Sequence, residues 1–149
     1  MRRVWCHVVL VAIHLVFVVI GLACAAKLLD LPRFEAALDA YDRVPEALRQ
    51  AALVTVPIVE GALAILWFAR IRTRLIAGVA ATFLVVVSLV IAWQWWQGDA
   101  PPCGCFGRLA AHAAWMEDAA WTLGRNTLMV VAALTYAAGN TRATGQALR

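Results

Sequence analysis

Four long apolar stretches dominate the pattern of hydrophobic and polar positions along the chain. They run through residues 4–26, 51–69, 75–96 and 119–138. A helix needs about 20 consecutive apolar residues to span the hydrocarbon core of a bilayer, and these stretches meet or nearly meet that length. They lack the apolar/polar alternation of barrel strands. The pattern therefore predicts an all-α fold, a bundle of four transmembrane helices that forms one integral membrane domain over residues 1–149.

The segment between the first two stretches, residues 27–50, is too charged to span a membrane. Four apolar side chains recur in it at helical spacing on one face: Leu31, Phe34, Leu38 and Tyr41. Pro32 suits a first helical position, and Asp30 stands where a helix cap is expected. The pattern predicts a short amphipathic helix in the first outer loop, lying on the membrane surface with its apolar face down. It serves either as a connector or as a lid over the loop that follows residue 96.

Composition agrees with a membrane protein. Of the 149 residues, 64% are hydrophobic and only 15% are charged, whereas a soluble domain is roughly half apolar and about a quarter charged. The first stretch, which follows Met1-Arg2-Arg3, also resembles a secretory signal, but its apolar run exceeds the about 7–15 residues of a signal core. We expect it to be retained as a helix. The lipid bilayer is the expected environment, and no nucleic-acid partner is expected.

Charges sort the ends and loops into two sides. One side carries only basic residues: Arg2, Arg3, Arg70, Arg72, Arg74, Arg142 and Arg149. The other side mixes the bases Lys27, Arg33, Arg43, Arg49 and Arg108 with the acids Asp30, Glu35, Asp39, Asp42, Glu46, Asp99, Glu117 and Asp118. By the positive-inside rule the first side is cytoplasmic. The prediction is a multi-pass protein of the inner (plasma) membrane with both termini in the cytoplasm.

Tryptophans fit the same topology, because the indole ring prefers the membrane interface. Trp5 and Trp67 are expected near the inner surface. The others are expected near the outer surface: Trp93, Trp95, Trp96, Trp115 and Trp121. Packing between helices is the alternative for any single tryptophan.

The outer loop after residue 96 contains "PPCGCFG", in which Cys103 and Cys105 flank one glycine. A disulfide between them would close a very small ring with strained geometry, and strained disulfides are the labile, catalytic or regulatory ones. Such a bond is a poor staple, since stabilisation grows with loop length. The chemistry favours a redox-exchanging pair, while a static disulfide, a reduced pair and metal ligation with His112 are alternatives. No fourth ligand is apparent, so no metal site is predicted.

Two ionisable residues interrupt the apolar stretches, Glu60 in the second and Arg125 in the fourth. Charges within the bilayer are costly, face the bundle interior and find partners. The topology puts both in the outer halves of their helices, so a Glu60–Arg125 pair is plausible, with Asn126 adding hydrogen-bonding capacity. The pair either fixes helix register or forms a polar site that binds a quinone headgroup, a proton or a partner residue. Cys24, at the outer end of the first stretch, could resolve a loop disulfide.

These motifs together resemble the MauE/DoxX family of redox-associated membrane proteins. The resemblance runs through "AKLLDLPRFEAALDAYDRVP", "VPIVEGALAIL", "CGCFG" and "RN", in that order. It implies functional roles for Lys27, Asp30, Pro32, Glu60, Cys103, Cys105, Gly107, Arg125 and Asn126. It also implies maturation of a periplasmic, disulfide-rich methylamine dehydrogenase alongside a thioredoxin-like partner.

The leading hypothesis is thus a membrane thiol/disulfide component that supports disulfide formation or maturation of periplasmic proteins. Cys103 and Cys105 would exchange with a thioredoxin-like periplasmic protein or an exported disulfide-bonded client, and Arg108 would favour the thiolate. If electrons enter the membrane, a quinone is the natural acceptor. The alternatives are a scaffold subunit without turnover and a small transporter that uses the intramembrane Glu60–Arg125 pair.

Overall fold

The computed structural model describes residues 2–98 and 118–146, with side chains in residues 7–98 and 118–139. This part of the chain is all-helical, without strands, as the sequence predicts. Its five helices are α1 Arg2–Leu29, α2 Leu31–Asp39, α3 Glu46–Phe68, α4 Thr73–Trp96 and α5 Ala119–Gln146.

Three of the described helices are long and apolar enough to cross a membrane, judged by length and composition. They comprise His7–Leu29 of α1, Glu46–Phe68 and Thr73–Trp96. The fourth predicted span is also helical, as the first part of α5, but it is not among these three because polar residues around Arg125 dilute its apolar run.

Helices α1 and α3 form an antiparallel pair. Towards one end the rings of Phe17 and Trp67 stack, with centroids 4.2 Å apart and planes 7° from parallel. Towards the other end the Cys24 thiol donates a hydrogen bond to the Pro57 carbonyl oxygen, Sγ to O 3.2 Å. From the first of these contacts to the second, residue numbers rise in α1 and fall in α3, so the two helices are antiparallel.

Helices α4 and α5 form the second antiparallel pair. The hydroxyls of Thr73 and Tyr136 are 3.1 Å apart at one end. Further along, Asn126 Nδ2 donates to Ser88 Oγ at 3.1 Å. These two helices make the most extensive contact in the described structure, whereas α3 and α4 touch much less. The bundle is therefore two tight pairs with a looser seam between α3 and α4.

The core joins the two pairs in the half of the bundle near Trp67. Small side chains on one face of α4 let the neighbouring helices approach closely: Ala77, Ala80 and Ala81. Trp67 is buried, and its ring also meets that of Tyr136 edge-on with centroids 5.3 Å apart. The indole of Trp67 therefore packs between helices, which is the alternative given for any single tryptophan, and its position near the inner surface stays a prediction. Trp93, Trp95, Trp96 and Trp121 are exposed at the opposite end.

The connection from α3 to α4 is a tight turn with two left-handed arginines. Arg70 (φ 58°) lies two residues after Phe68, the last residue of α3, and Arg72 (φ 42°) precedes α4. The amides of Arg70 and Ile71 donate to the carbonyls of Trp67 and Leu66 at 2.9 and 3.1 Å. These two bonds are the pattern of a Schellman motif, which normally places glycine at the left-handed position. The basic turn thus ends α3 without glycine.

Helix α2 confirms that the first connection contains a short helix, with Pro32 in its first turn. Asp30 occupies the N-cap position, but its side chain makes no capping hydrogen bond. Of the apolar side chains predicted on one face, Phe34 and Tyr41 are buried, whereas Leu31 is exposed. Whether α2 lies on a membrane surface stays a prediction.

Candidate functional site

A buried ion pair joins α1 to α3 within the described spans. The Lys27 ammonium Nζ lies 2.7 and 2.8 Å from the two carboxylate oxygens of Glu60. Lys27 is only 2% exposed and Glu60 only 7%. Such burial makes each charge depend on the other, since an isolated ion in this environment is strongly disfavoured. The pair is the centre of the candidate site.

Lys27 reaches this position because α1 extends beyond residues 4–26, the apolar stretch from which this helix is predicted. No glycine or proline follows Cys24 until Pro32, and α1 ends at Leu29. Lys27 lies three residues after Cys24, on the face of α1 that meets α3. Its ammonium also stands 5.4 Å from the centre of the Phe34 ring of α2, a cation–π contact. One lysine therefore ties α2 and α3 to α1.

Cys24 occupies the layer next to the ion pair. It is a buried free thiol that donates to the Pro57 carbonyl. A methyl group at Gly61 would stand 3.2 Å from Cys24 Sγ, closer than ordinary van der Waals contact. Gly61 thus allows the two helices to approach at this point, and the approach brings Glu60 within reach of Lys27.

Arg125 and Asn126 bring a second polar group from α5. Asn126 is 2% exposed and donates to Ser88 of α4. Its Oδ1 accepts a hydrogen bond from Arg125 Nη2 at 3.3 Å. Both residues belong to the wall of the cavity that Lys27 and Glu60 also line. The structure thus brings four sequence-predicted residues to one cavity.

The cavity has a volume of about 700 Å³ and lies between α3 and α4, at the seam where these helices touch least. Its floor is the α1 face around Ile20 and Ala23, and α2 covers it through Phe34 and Leu38. Apart from the polar group, most of its wall is aliphatic or aromatic. Its volume is within the range of small-molecule sites, which are mostly apolar with a few placed polar groups.

The segment that contains Cys103 and Cys105 lies outside the described residues, but its two flanks are described. At the end of α4, Gln94 Nε2 donates to Asp42 Oδ1 at 3.1 Å, which ties this helix to the connection after α2. At the start of α5, Ala119 packs with Tyr41 in a small buried cluster. Both flanks therefore lie at the end of the bundle that α2 covers.

The sequence indicates Lys27, Glu60, Arg125 and Asn126 as site residues, but it does not predict the pairing of Glu60 with Lys27, since Lys27 follows the first apolar stretch and is expected in the outer loop. The sequence after Cys24 contains no glycine or proline before Pro32, which indicates that the first helix continues through Lys27. Within the described residues, no group of three or more His, Cys, Asp and Glu side chains could hold a metal ion.

Comparison with known proteins gives one family match. A family model described as methylamine utilisation protein MauE matches residues 6–139, which is most of the chain. Neither a curated protein nor a solved structure matches the sequence. The matched range includes the ion pair, the cavity and the segment that contains the two loop cysteines.

Proposed function

The chain belongs to the MauE family, and from this premise we propose that it is a membrane thiol/disulfide component in which Cys103 and Cys105 cycle between dithiol and disulfide. Its family gives it a membrane role associated with methylamine utilisation. The reaction is exchange with a thioredoxin-like protein or with an exported client. A thiolate attacks one sulfur of a disulfide, a mixed disulfide forms, and a second thiolate releases it. Two electrons pass between the partners.

One observation carries the proposal: both flanks of the cysteine segment lie at the same end of the bundle as the buried polar site. The Gln94–Asp42 hydrogen bond and the packing of Ala119 on Tyr41 establish that position. The chain therefore leaves α4 and enters α5 at the α2 end of the bundle, on either side of the cysteine segment. This end is the outer one in our proposed topology, where an oxidising compartment permits disulfide chemistry.

The proposed topology has four crossings with both termini in the cytoplasm. Helix α5 supports the fourth crossing, because it follows α4 antiparallel from the Asn126–Ser88 contact to the Tyr136–Thr73 contact. A helix that accompanies an apolar span over this length covers much of the same depth. The arginine-rich turn between α3 and α4 supports a cytoplasmic location for the opposite end.

A mixed-disulfide trap tests the proposal. Cys103→Ser and Cys105→Ser are made singly and together, expressed with the exported proteins of the pathway, and resolved on gels with and without dithiothreitol. We expect one single variant to accumulate an adduct that dithiothreitol removes. Cys24→Ala is the matched control, because its thiol is buried and bonded to Pro57, and it is expected to form no adduct.

The opposite result is equally clear. If neither single variant forms an adduct and the double variant still supports methylamine growth, the redox function is rejected. Loss of growth in a Glu60→Gln variant that still accumulates in the membrane at the wild-type level, with the cysteines dispensable, would favour the transporter alternative. If the exported client still binds the protein after both cysteines are replaced, the scaffold alternative is favoured.

A further inference from the structure

The cavity opens to the exterior of the helix bundle between α3 and α4. Leu48 of α3 and Val86 and Trp93 of α4 all line it, and all three are exposed. Side chains that face both the cavity and the helix exterior mark an opening. In a helix bundle within a bilayer this surface faces lipid, so the opening admits molecules from the membrane rather than from water.

The polar wall of the cavity favours a ligand that carries hydrogen-bond acceptors. Among its described lining residues, the cations Lys27, Arg49 and Arg125 outnumber the carboxylate Glu60. The Asn126 side chain stands beside Arg125 on the same wall. Cationic and amide donors next to an apolar wall suit an elongated apolar molecule with carbonyl oxygens at one end.

The depth of this wall separates two classes of ligand. Asn126 lies seven residues after Ala119, which is about 10 Å along α5, and Glu60 lies fourteen residues after Glu46, which is about 21 Å along α3. A phospholipid phosphate keeps its charge and stays at the interface. A quinone ring carries neutral acceptors and enters this depth without the cost of a buried ion.

We propose that the cavity binds a membrane-soluble quinone, with its ring at Arg125 and Asn126 and its tail leaving between α3 and α4. The redox role of this site rests on the proposed function. The Cys103–Cys105 dithiol loses two electrons and two protons and becomes a disulfide, and the quinone gains both and becomes a quinol. The cysteine pair is thereby returned to its oxidising state by a molecule that the bilayer supplies.

The test is binding of decylubiquinone to the full-length protein in detergent, measured by equilibrium dialysis. Val56→Trp places a large ring in the cavity wall, while Val54→Trp places the same ring two residues away on the exposed face of α3. We expect Val54→Trp to bind like the wild type and Val56→Trp to bind at least tenfold more weakly.

Arg125→Gln keeps the test decisive if Val56→Trp does not fold. Loss of a charged hydrogen-bond donor is expected to weaken decylubiquinone binding about tenfold or more. Thermal unfolding of each variant verifies that it is folded. Equal binding by Val56→Trp and Val54→Trp, or no binding by the wild type, overturns the inference. Displacement of decylubiquinone by an equal amount of dioleoylphosphatidylglycerol also overturns it, since the cavity would then be a phospholipid site.

The cysteine variants separate this inference from the proposed function. The Cys103→Ser/Cys105→Ser double variant is expected to bind decylubiquinone unchanged, because none of the described residues that form the binding wall is altered. Binding without any mixed-disulfide adduct upholds the quinone site and rejects the thiol function. An adduct without decylubiquinone binding upholds the thiol function and rejects the quinone site.

Discussion

Replacing Lys27 with methionine is expected to destabilise the protein strongly. The ammonium lies 2.7 and 2.8 Å from the carboxylate oxygens of Glu60, and both residues are buried. Removal of one member of a buried pair costs about 3–5 kcal/mol. Loss of the contact with the Phe34 ring adds about 0.5–1 kcal/mol. The sum is a large part of the about 5–15 kcal/mol by which native proteins are stable.

The double variant Lys27→Met/Glu60→Leu is expected to recover most of this loss. Replacement of a whole buried ion pair by apolar side chains is often neutral or stabilising by about 1–4 kcal/mol. Glu60→Leu alone leaves the lysine charge buried and is expected to be as harmful as Lys27→Met. The free energies of the two single variants should therefore not add, and their coupling should be about 3 kcal/mol or more.

The assay compares these variants in one detergent, with unfolding followed by tryptophan fluorescence during titration with a denaturing detergent. Glu46→Gln is the control, because Glu46 Oε2 also lies 2.7 Å from a cation, Arg49 Nη2, but is largely exposed. An exposed pair is worth about 0–1 kcal/mol. Additive single variants, or a cost for Lys27→Met no larger than that for Glu46→Gln, would refute the reasoning.

Three further changes test packing and backbone geometry, each measured as the midpoint of thermal unfolding. Gly61→Ala should cost about 1–3 kcal/mol, because its methyl would stand 3.2 Å from Cys24 Sγ. Gly61→Ala should become neutral or favourable in a Cys24→Ala background. Gly21→Ala is the control, because its methyl would stand 3.5 Å from the nearest atom. An equal cost of Gly61→Ala in both backgrounds would contradict the close approach of Gly61 to Cys24. Trp67→Ala should cost about 3–5 kcal/mol through loss of its stacked ring, and a cost below about 1 kcal/mol would argue against its burial. Arg70→Gly should stabilise by about 0.5–1 kcal/mol, since φ is 58° there, and a fall in the midpoint would count against the left-handed turn.

The apolar pattern predicts the helices well because burial in lipid or protein is a local property of each stretch. It predicts α4 almost to the residue, 75–96 against Thr73–Trp96. It misses the first turns of α3, which begins at Glu46 rather than near residue 51. Those turns carry Arg49 and Gln50, whose polar side chains bond to Glu46. A hydropathy pattern does not detect helical turns that consist of polar residues.

The candidate site shows a different limit. The charges within the apolar stretches predict a pair between Glu60 and Arg125, whereas the structure shows Glu60 bonded to Lys27. The actual Lys27–Glu60 contact depends on the register of α1 against α3, which the Cys24–Pro57 bond and the small Gly61 determine. Register arises from shape complementarity between two helices, and a hydrophobic pattern on either one does not specify it.

The position of the ion pair has a consequence for biosynthesis. Lys27 and Glu60 are 33 residues apart in the chain, so α1 is synthesised before its acidic partner exists. Until then the lysine head is more stable at the membrane surface, where its flexible stem reaches water. Once α3 has been made, its carboxylate stabilises the ammonium within the protein. The buried contact can therefore form only after both helices have been synthesised.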